Sequence, residues 1–129
     1  IIEDAAHSVP STYKGVNIGN LSKTDVTCFS FYATKTLSTG EGGMATTNKE
    51  QYAKSMKINR LHGISKDAWD RYTTKASWHY DIVDNGCKYN STDINASIGL
   101  VQLRKQNELR EIRASKISRV VRSDCNNIK

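Results

Sequence analysis

An apolar and β-branched run, Val26 to Phe31 (VTCFSF), is followed after a few residues by a stretch rich in Ser, Thr and Gly, Thr36 to Gly43. The run is typical of a buried strand in an α/β domain. The stretch is typical of a loop whose backbone approaches a ligand closely. Lys35 stands between the two. A lysine at a strand end beside apolar residues is partly desolvated, so its amine is a candidate nucleophile towards carbonyl carbon, although most lysines are solvated surface charges.

The composition is that of a globular protein, because 37% of the 129 residues are hydrophobic and 25% are charged. This length suffices for one domain core. There is no run of 18 apolar residues, so we expect no membrane span and no membrane partner. The first residues show no basic region ahead of an apolar one, so no signal peptide is expected. Three widely spaced cysteines, Cys28, Cys87 and Cys125, favour reduced thiols in a cytoplasmic protein over disulfides or a zinc site.

The net charge of +6 is concentrated near the carboxyl terminus. Residues 1–101 hold 11 basic and 10 acidic side chains, whereas residues 102–129 hold 8 basic and 3 acidic ones. A basic segment of this kind can contact nucleic acid. However, apolar residues recur within it at roughly helical spacing, which is typical of a helix with one solvated face. We therefore expect no nucleic-acid partner.

Short strands and helices alternate along the chain, which predicts an α/β fold. Ile1 to Asp4 is predicted to be the end of a buried strand, residues 13–20 a short hairpin or irregular excursion, and Gly42 to Thr47 a further strand. Asn48 is predicted to cap a helix that runs to about Leu61 and stops at Gly63. Parallel strands need neighbours and crossover helices, and few are present. The chain is therefore predicted to be a fragment of a larger one.

The second half of the chain is predicted to be a long loop followed by a long helix. Residues 64–88 show no clear period and contain the aromatic residues Trp69, Tyr72, Trp78 and Tyr80. Thr92 is predicted to cap a helix that continues to about Ser123. Four apolar residues are predicted to lie on or near one face of this helix: Ile94, Ile98, Val101 and Leu103.

Asp4 and Lys35 each lie just past a predicted strand end. The carboxyl ends of parallel strands gather where ligands bind. A lysine and an aspartate at that edge suit pyridoxal phosphate, because the lysine forms a Schiff base with the aldehyde and the carboxylate keeps the pyridine nitrogen protonated. Ser30 could donate its hydroxyl to the phosphate. Alternatively, Asp4 is a helix cap or an ion-pair partner, and Ser30 an ordinary strand residue.

Three stretches in this order, EDAAH, FSFYATKTLSTGEGGM and KYNSTDINASIGLVQL, resemble the sugar-nucleotide aminotransferases of the DegT type. These are pyridoxal-phosphate enzymes of the aspartate-aminotransferase fold (fold type I), and the resemblance runs from Ile2 to about Leu103. It implies that residues 1–107 are the C-terminal part of the large cofactor-binding domain, with a mixed, mostly parallel sheet and flanking helices. Residues 108–129 would be a helix leading towards the small C-terminal domain. It also implies a homodimer with active sites at the subunit interface.

The resemblance implies a role for each matching residue. Lys35 would be the Schiff-base lysine and proton shuttle, and Asp4 would pair with the pyridinium nitrogen. His7, where relatives carry His or Gln, would lie beside the cofactor ring and its hydroxyl. Ser30 would bind the phosphate. Asn90 would reach the phosphate held by the neighbouring subunit; by itself it could equally be a turn residue that binds its own backbone.

Lysine at position 35 favours an aminotransferase, because a related branch that removes a sugar hydroxyl has histidine there. The segment HGISKDAWDRY resembles enzymes of polysaccharide biosynthesis that aminate C4 of a nucleotide-linked 4-keto-6-deoxy sugar, with glutamate as the donor. The predicted partners are therefore a nucleotide sugar, an amino-acid donor and a second subunit. The alternative is a structural or dimerisation fragment of the same fold that binds no cofactor.

Overall fold

A computed structural model of the chain describes residues 1–65 and 80–127, with the backbone alone from 120 onwards. The strands are β1 (Ile2–Asp4), β2 (Thr12–Tyr13), β3 (Val16–Asn17), β4 (Val26–Ser30) and β5 (Gly43–Thr46), and the helices are α1 (Glu50–Asn59) and α2 (Asp93–Asn127). Three strands form a sheet in the order β1-β4-β5, with β1 parallel and β5 antiparallel to β4. The predicted α/β class with a mixed sheet is confirmed for these residues, but one of the two pairings is antiparallel.

β1 and β4 pair in a register that aligns their carboxyl ends, with Asp4 opposite Cys28. Thr27 is the most deeply buried residue of β4, at 1% exposure, and its hydroxyl donates to Glu3 Oε2 at 2.9 Å. The expectation that the first strand is buried is wrong for this structure, since Ile2 is 77% exposed. One face of the sheet is therefore open, and the sheet is anchored through a polar threonine.

β2 and β3 form the predicted hairpin. Its two turn residues, Lys14 and Gly15, have φ angles of 50° and 80°. Two-residue hairpin turns favour positive φ at both central positions because this twist matches the twist of the strands.

α1 begins one residue later than predicted, and its cap differs from the prediction. The N-cap residue is Lys49, which makes no side-chain cap hydrogen bond, so the prediction of Asn48 as the cap is wrong. The Asn48 side chain instead donates to Asn20 Oδ1 at 3.2 Å. The hydroxyl of Thr47 accepts from the Lys49 amide at 3.1 Å and donates to the carbonyl of Asp25 at 2.6 Å. Thr47 thus ties the start of α1 to the residue ahead of β4.

α1 ends at Asn59, two residues before the predicted Leu61, and Gly63 closes this end as predicted. The Gly63 amide donates to the carbonyl of Ile58 at 3.1 Å, and its φ is +71°. Beyond it, Ile64 pairs with Ile82 in an antiparallel bridge, so the two described ends of the predicted loop meet. Three of the predicted loop aromatics, Trp69, Tyr72 and Trp78, lie outside the described residues.

α2 begins at Asp93, and the Asn95 amide donates to the Thr92 hydroxyl at 3.2 Å, so the predicted cap is confirmed. The helix runs without interruption for 35 residues, or about 52 Å at 1.5 Å per residue. The expected domain boundary after residue 107 falls inside it. No helix in the described ranges is apolar enough over a bilayer-spanning length to cross a membrane.

The face of α2 that contacts the rest of the chain differs from the one that carries the apolar residues named above. Ile94, Ile98, Val101 and Leu103 are exposed, by 42% to 74%. The half-buried positions between Asp93 and Arg119 are Asn95, Gly99, Gln102, Gln106 and Leu109. A mostly polar face of α2 therefore contacts the described residues.

Candidate active site

The parallel pairing of β1 with β4 brings Asp4 and Ser30, the last residues of these strands, to one edge of the sheet. The Asp4 carboxylate is held by its own turn, since Oδ1 accepts from the Ala6 amide at 3.0 Å. Ser30 Oγ accepts from the Tyr32 amide at 3.3 Å. The hydroxyl proton of Ser30 therefore remains available to a ligand oxygen.

Lys35 and His7 contact each other directly at this edge. Lys35 Nζ lies 2.7 Å from Nε2 of His7. Lys35 is half-buried and His7 is exposed, so one side of the pair faces solvent. When the neutral imidazole carries its proton on Nδ1, Nε2 accepts a hydrogen bond from the lysine. The lysine is thus oriented towards the strand ends, where a carbonyl compound can reach it from solvent.

The turns that carry this pair are held by backbone hydrogen bonds. The amide of Ala5, which is 1% exposed, donates to the carbonyl of Cys28 at 2.8 Å and continues the ladder past the end of β1. The Ser8 amide then donates to the Ala5 carbonyl at 2.9 Å, which turns the chain at His7. On the other side, the Lys35 amide donates to the carbonyl of Tyr32 at 2.9 Å.

The Gly-rich loop after Lys35 is pinned to the end of β4. The Thr39 amide donates to the carbonyl of Phe31, and the Phe31 amide donates to the carbonyl of Gly42, at 2.9 and 2.8 Å. Leu37 and Thr39 are 5% and 7% exposed. A Cβ on Gly43 would lie 2.7 Å from the backbone oxygen of Phe29, so glycine is needed for this close approach. The first part of the loop that follows the lysine is consequently packed against the end of the strand.

Asn90 does not join the other four predicted site residues. It is exposed and follows the segment that pairs with the end of α1, where the Tyr89 amide donates to the carbonyl of Arg60 at 2.8 Å. It lines an open cleft of about 1300 Å³ between β5, α1 and residues 85–92, which includes none of Asp4, His7, Ser30 and Lys35. Its side-chain nitrogen lies 3.5 Å from the carbonyl oxygen of Ser91.

The four gathered groups fit an anionic aromatic aldehyde such as pyridoxal phosphate. They comprise an amine for an aldehyde, an imidazole beside it, a carboxylate for a cationic ring nitrogen and a hydroxyl for a phosphate. Asp4 Oδ2 accepts no hydrogen bond from any residue that the structure describes, so it is free for a donor on a ligand. Sequence reasoning predicted a site at these residues but did not predict the contact between Lys35 and His7.

Arg113 and Asn95 were missed, although both contact the loop that carries Lys35. Sequence reasoning placed Arg113 in a solvated basic segment. One sequence feature could have linked these two residues. They are 18 residues apart, which is five helical turns and places them on the same face of the helix.

Comparison with known proteins identifies the family of the chain. The profile of the DegT/DnrJ/EryC1/StrS aminotransferase family matches residues 1–123. Protein MJ1066 of Methanocaldococcus jannaschii is 51% identical over 128 residues, which are 99% of this chain and 32% of that protein. The spore coat polysaccharide biosynthesis protein SpsC of Bacillus subtilis is 47% identical over 113 residues, which are 88% of this chain and 28% of that protein.

The fold agrees with solved structures of the same kind. The protein Spr1654 of Streptococcus pneumoniae, assigned as a sugar aminotransferase and solved in its PMP form, superposes with a TM-score of 0.79 at 43% identity. The match covers 92% of this chain and 31% of that one. The PLP form of the same protein gives a TM-score of 0.76. The chain thus spans about a third of the length of the relatives it matches, and it belongs to the DegT/DnrJ/EryC1/StrS aminotransferase family.

Proposed function

We propose that this chain supplies the pyridoxal-phosphate site of an aminotransferase that moves an amino group from glutamate to a nucleotide-linked 4-keto-6-deoxy sugar. The observation that carries the proposal is the 2.7 Å contact between Lys35 Nζ and His7 at the joined carboxyl ends of β1 and β4. Family membership and the PLP and PMP forms of Spr1654 support the choice of cofactor. The name of SpsC supports a place in polysaccharide biosynthesis. The chain would then belong to the large domain of a fold type I enzyme.

The residues of this chain would divide the work by their chemistry. Lys35 Nζ would hold the cofactor through its aldehyde group and would move a proton at the carbon that exchanges its amino group. Asp4 would hold a proton on the ring nitrogen, and Ser30 would bind the phosphate through its hydroxyl. His7 would orient Lys35 and lie beside the ring. When bound, the cofactor supplies an electron sink for the carbon that exchanges its amino group.

A second subunit would complete the site. Asn90 lines a cleft that contains none of the four gathered residues, and a contact across a dimer interface would explain its position. The competing function is a structural or dimerisation piece that binds no cofactor. The exposure of Ile94, Leu100 and Leu103 on α2, by 74%, 57% and 50%, is compatible with a subunit contact under either function.

Cofactor retention distinguishes the two functions. The full gene product that carries this sequence is loaded with pyridoxal phosphate, dialysed, reduced with borohydride and mapped by peptide mass. We expect a pyridoxyl group on Lys35, its loss in Lys35→Ala, and its retention in Lys23→Ala, which removes an exposed lysine elsewhere. Absence of cofactor absorbance and of any label on Lys35 would overturn the proposal in favour of the structural function.

A further inference from the structure

The loop that follows Lys35 is held at both ends by side chains of α2. Arg113 Nη1 donates to the carbonyl oxygen of Thr36, the next residue after the lysine, at 3.2 Å. Nearer the start of the helix, Asn95 Nδ2 donates to the carbonyl oxygen of Glu41 at 3.0 Å. Both hydrogen bonds join segments that are far apart in the sequence, so the helix fixes the loop from outside.

These contacts lie on one continuous face of α2. Arg113 follows Asn95 by 18 residues, which is five turns of an α-helix at about 3.6 residues per turn. Between them lies Gly99, where an added Cβ would be 3.1 Å from Cγ2 of Thr39. A side chain at this position would therefore require Thr39 or the helix to shift by a few tenths of an ångström. Glycine allows α2 to lie close to the loop without that shift.

Arg113 binds the backbone next to Lys35. A guanidinium is always charged and makes a strong directional hydrogen bond to a carbonyl oxygen. The hydrogen bonds from Lys35 to Tyr32 and from Thr39 to Phe31 are internal to the strand end and its loop. Arg113, by contrast, belongs to α2 and binds Thr36, the residue next to the lysine.

We propose that Arg113 is a positioning residue that fixes the backbone at Lys35 through the carbonyl of Thr36, and so directs Nζ towards His7 and the carbonyl compound bound there. This role rests on the proposed function. Loss of the Arg113 side chain should therefore change the reactivity of Lys35 and leave the stability of the whole fold nearly unchanged. Hydrogen bonds made by exposed side chains contribute little to global stability.

The test measures labelling of Lys35 in the cofactor-free full gene product. Pyridoxal phosphate and borohydride are added, and the label is followed over time on Lys35 and, as an internal reference, on Lys23. Arg113→Met removes every donor but keeps length and helix propensity. The matched control is Arg110→Met, since Arg110 lies on the same helix and its side chain makes no hydrogen bond or ion pair to any residue in the described ranges.

We expect Arg113→Met to slow labelling of Lys35 about three- to tenfold relative to Lys23, while the melting temperature stays close to that of the wild type. Arg113→Lys should restore part of the rate, because an ammonium still donates one hydrogen bond. Arg110→Met should change nothing.

An unchanged rate of Lys35 labelling in Arg113→Met would overturn the role. Equal slowing in Arg110→Met would also overturn it, because the loss of one positive charge would then explain both results. Loss of the fold in Arg113→Met also contradicts it, since Arg113 would then act on the whole structure. If Lys23 but never Lys35 is labelled in the wild-type protein, the proposed function itself is wrong, and so is the role of Arg113 that rests on it.

Discussion

Lys35 Nζ and His7 Nε2 lie 2.7 Å apart, although the two residues are 28 positions apart in the sequence. The parallel pairing of β1 with β4 creates the contact, because it places the turn after Asp4 beside the loop after Ser30. His7 can therefore act on the reactive amine of Lys35 through one hydrogen bond, and its removal should have a specific effect.

Replacing His7 should reduce turnover without preventing cofactor binding. His7→Gln keeps a side-chain acceptor and should retain most activity, whereas His7→Ala should lose about tenfold, the scale of one hydrogen bond to a charged group in a partly exposed site. Turnover and Lys35 labelling are measured in the full gene product. Equal losses of turnover in His7→Gln and His7→Ala would show that a side-chain acceptor for Lys35 is not needed.

Asp4 is expected to be needed for turnover but not for attachment of the cofactor to Lys35. Asp4→Asn keeps an oxygen that can accept from the Ala6 amide, as Oδ1 does at 3.0 Å, and removes only the charge. Labelling of Lys35 should persist, and turnover should fall on the order of 10²-fold or more, because the ring nitrogen loses its proton-holding partner. Near-normal turnover would contradict the role.

Sequence patterns predicted the part of the candidate site that depends on where strands end. The positions of Asp4, Ser30 and Lys35 follow from two short strands and the rule that carboxyl ends of parallel strands meet. The contact of Lys35 with His7 depends on the two turns, whose course is set by backbone hydrogen bonds such as that from Ala5 to Cys28. Local patterns carry no information on such distant pairs.

Local patterns do not determine the structure where contacts between distant residues decide it. Asn48 is a good cap by type, but its side chain is bound to Asn20, and Thr47 takes over the contact to Lys49. On α2, apolar periodicity finds Ile94 and Ile98, but it does not reveal which surface covers them. The face that contacts the loop is chosen by the small residue Gly99 and by polar partners, which no hydrophobic pattern detects.

Gly63 should tolerate no side chain. Its φ is +71°, and an added Cβ would lie 1.8 Å from the backbone oxygen of Asp84. Gly63→Ala should lower the free energy of unfolding by about 3 kcal/mol or more, since it combines a left-handed backbone with a steric overlap. The matched control is Gly15→Ala, with φ of +80° and nothing within 4 Å, which should cost about 1 kcal/mol. Urea denaturation of both variants measures the difference, and equal costs would exclude the overlap as a cause.

The ion pair between Asp25 and Lys49 predicts an acid-dependent contact at the start of α1. A hydrogen bond from Lys49 lowers the pKa of Asp25 below its usual value of 3.8. Because the folded pKa is the lower one, any stabilisation is present above about pH 4 and is lost as the pH falls through the folded pKa. Lys49→Gln should raise the pKa of Asp25 in an NMR titration. Lys54→Gln, which breaks the separate pair with Glu50, should leave it unchanged.

The last prediction concerns the subunit in which Asn90 acts. Asn90 lines a cleft shared by β5 and α1 and is not among the residues gathered around Lys35. If it served only as a turn residue bound to its own backbone, its replacement would disturb the subunit that carries it. If it binds the phosphate in the partner's site, its replacement would damage the site whose lysine belongs to the other subunit.

Mixing two defective subunits separates these possibilities. Lys35→Ala and Asn90→Ala versions of the full gene product, each nearly inactive alone, are combined under conditions in which subunits exchange. If Asn90 acts in the partner's site, the mixed dimer holds one site with both defects and one with neither, so up to half of the activity of a wild-type dimer returns in that species. If Asn90 acts within its own subunit, every site of the mixed dimer keeps one defect. Subunit exchange is verified by mass spectrometry, and exchange without recovered activity would exclude a role for Asn90 across the interface.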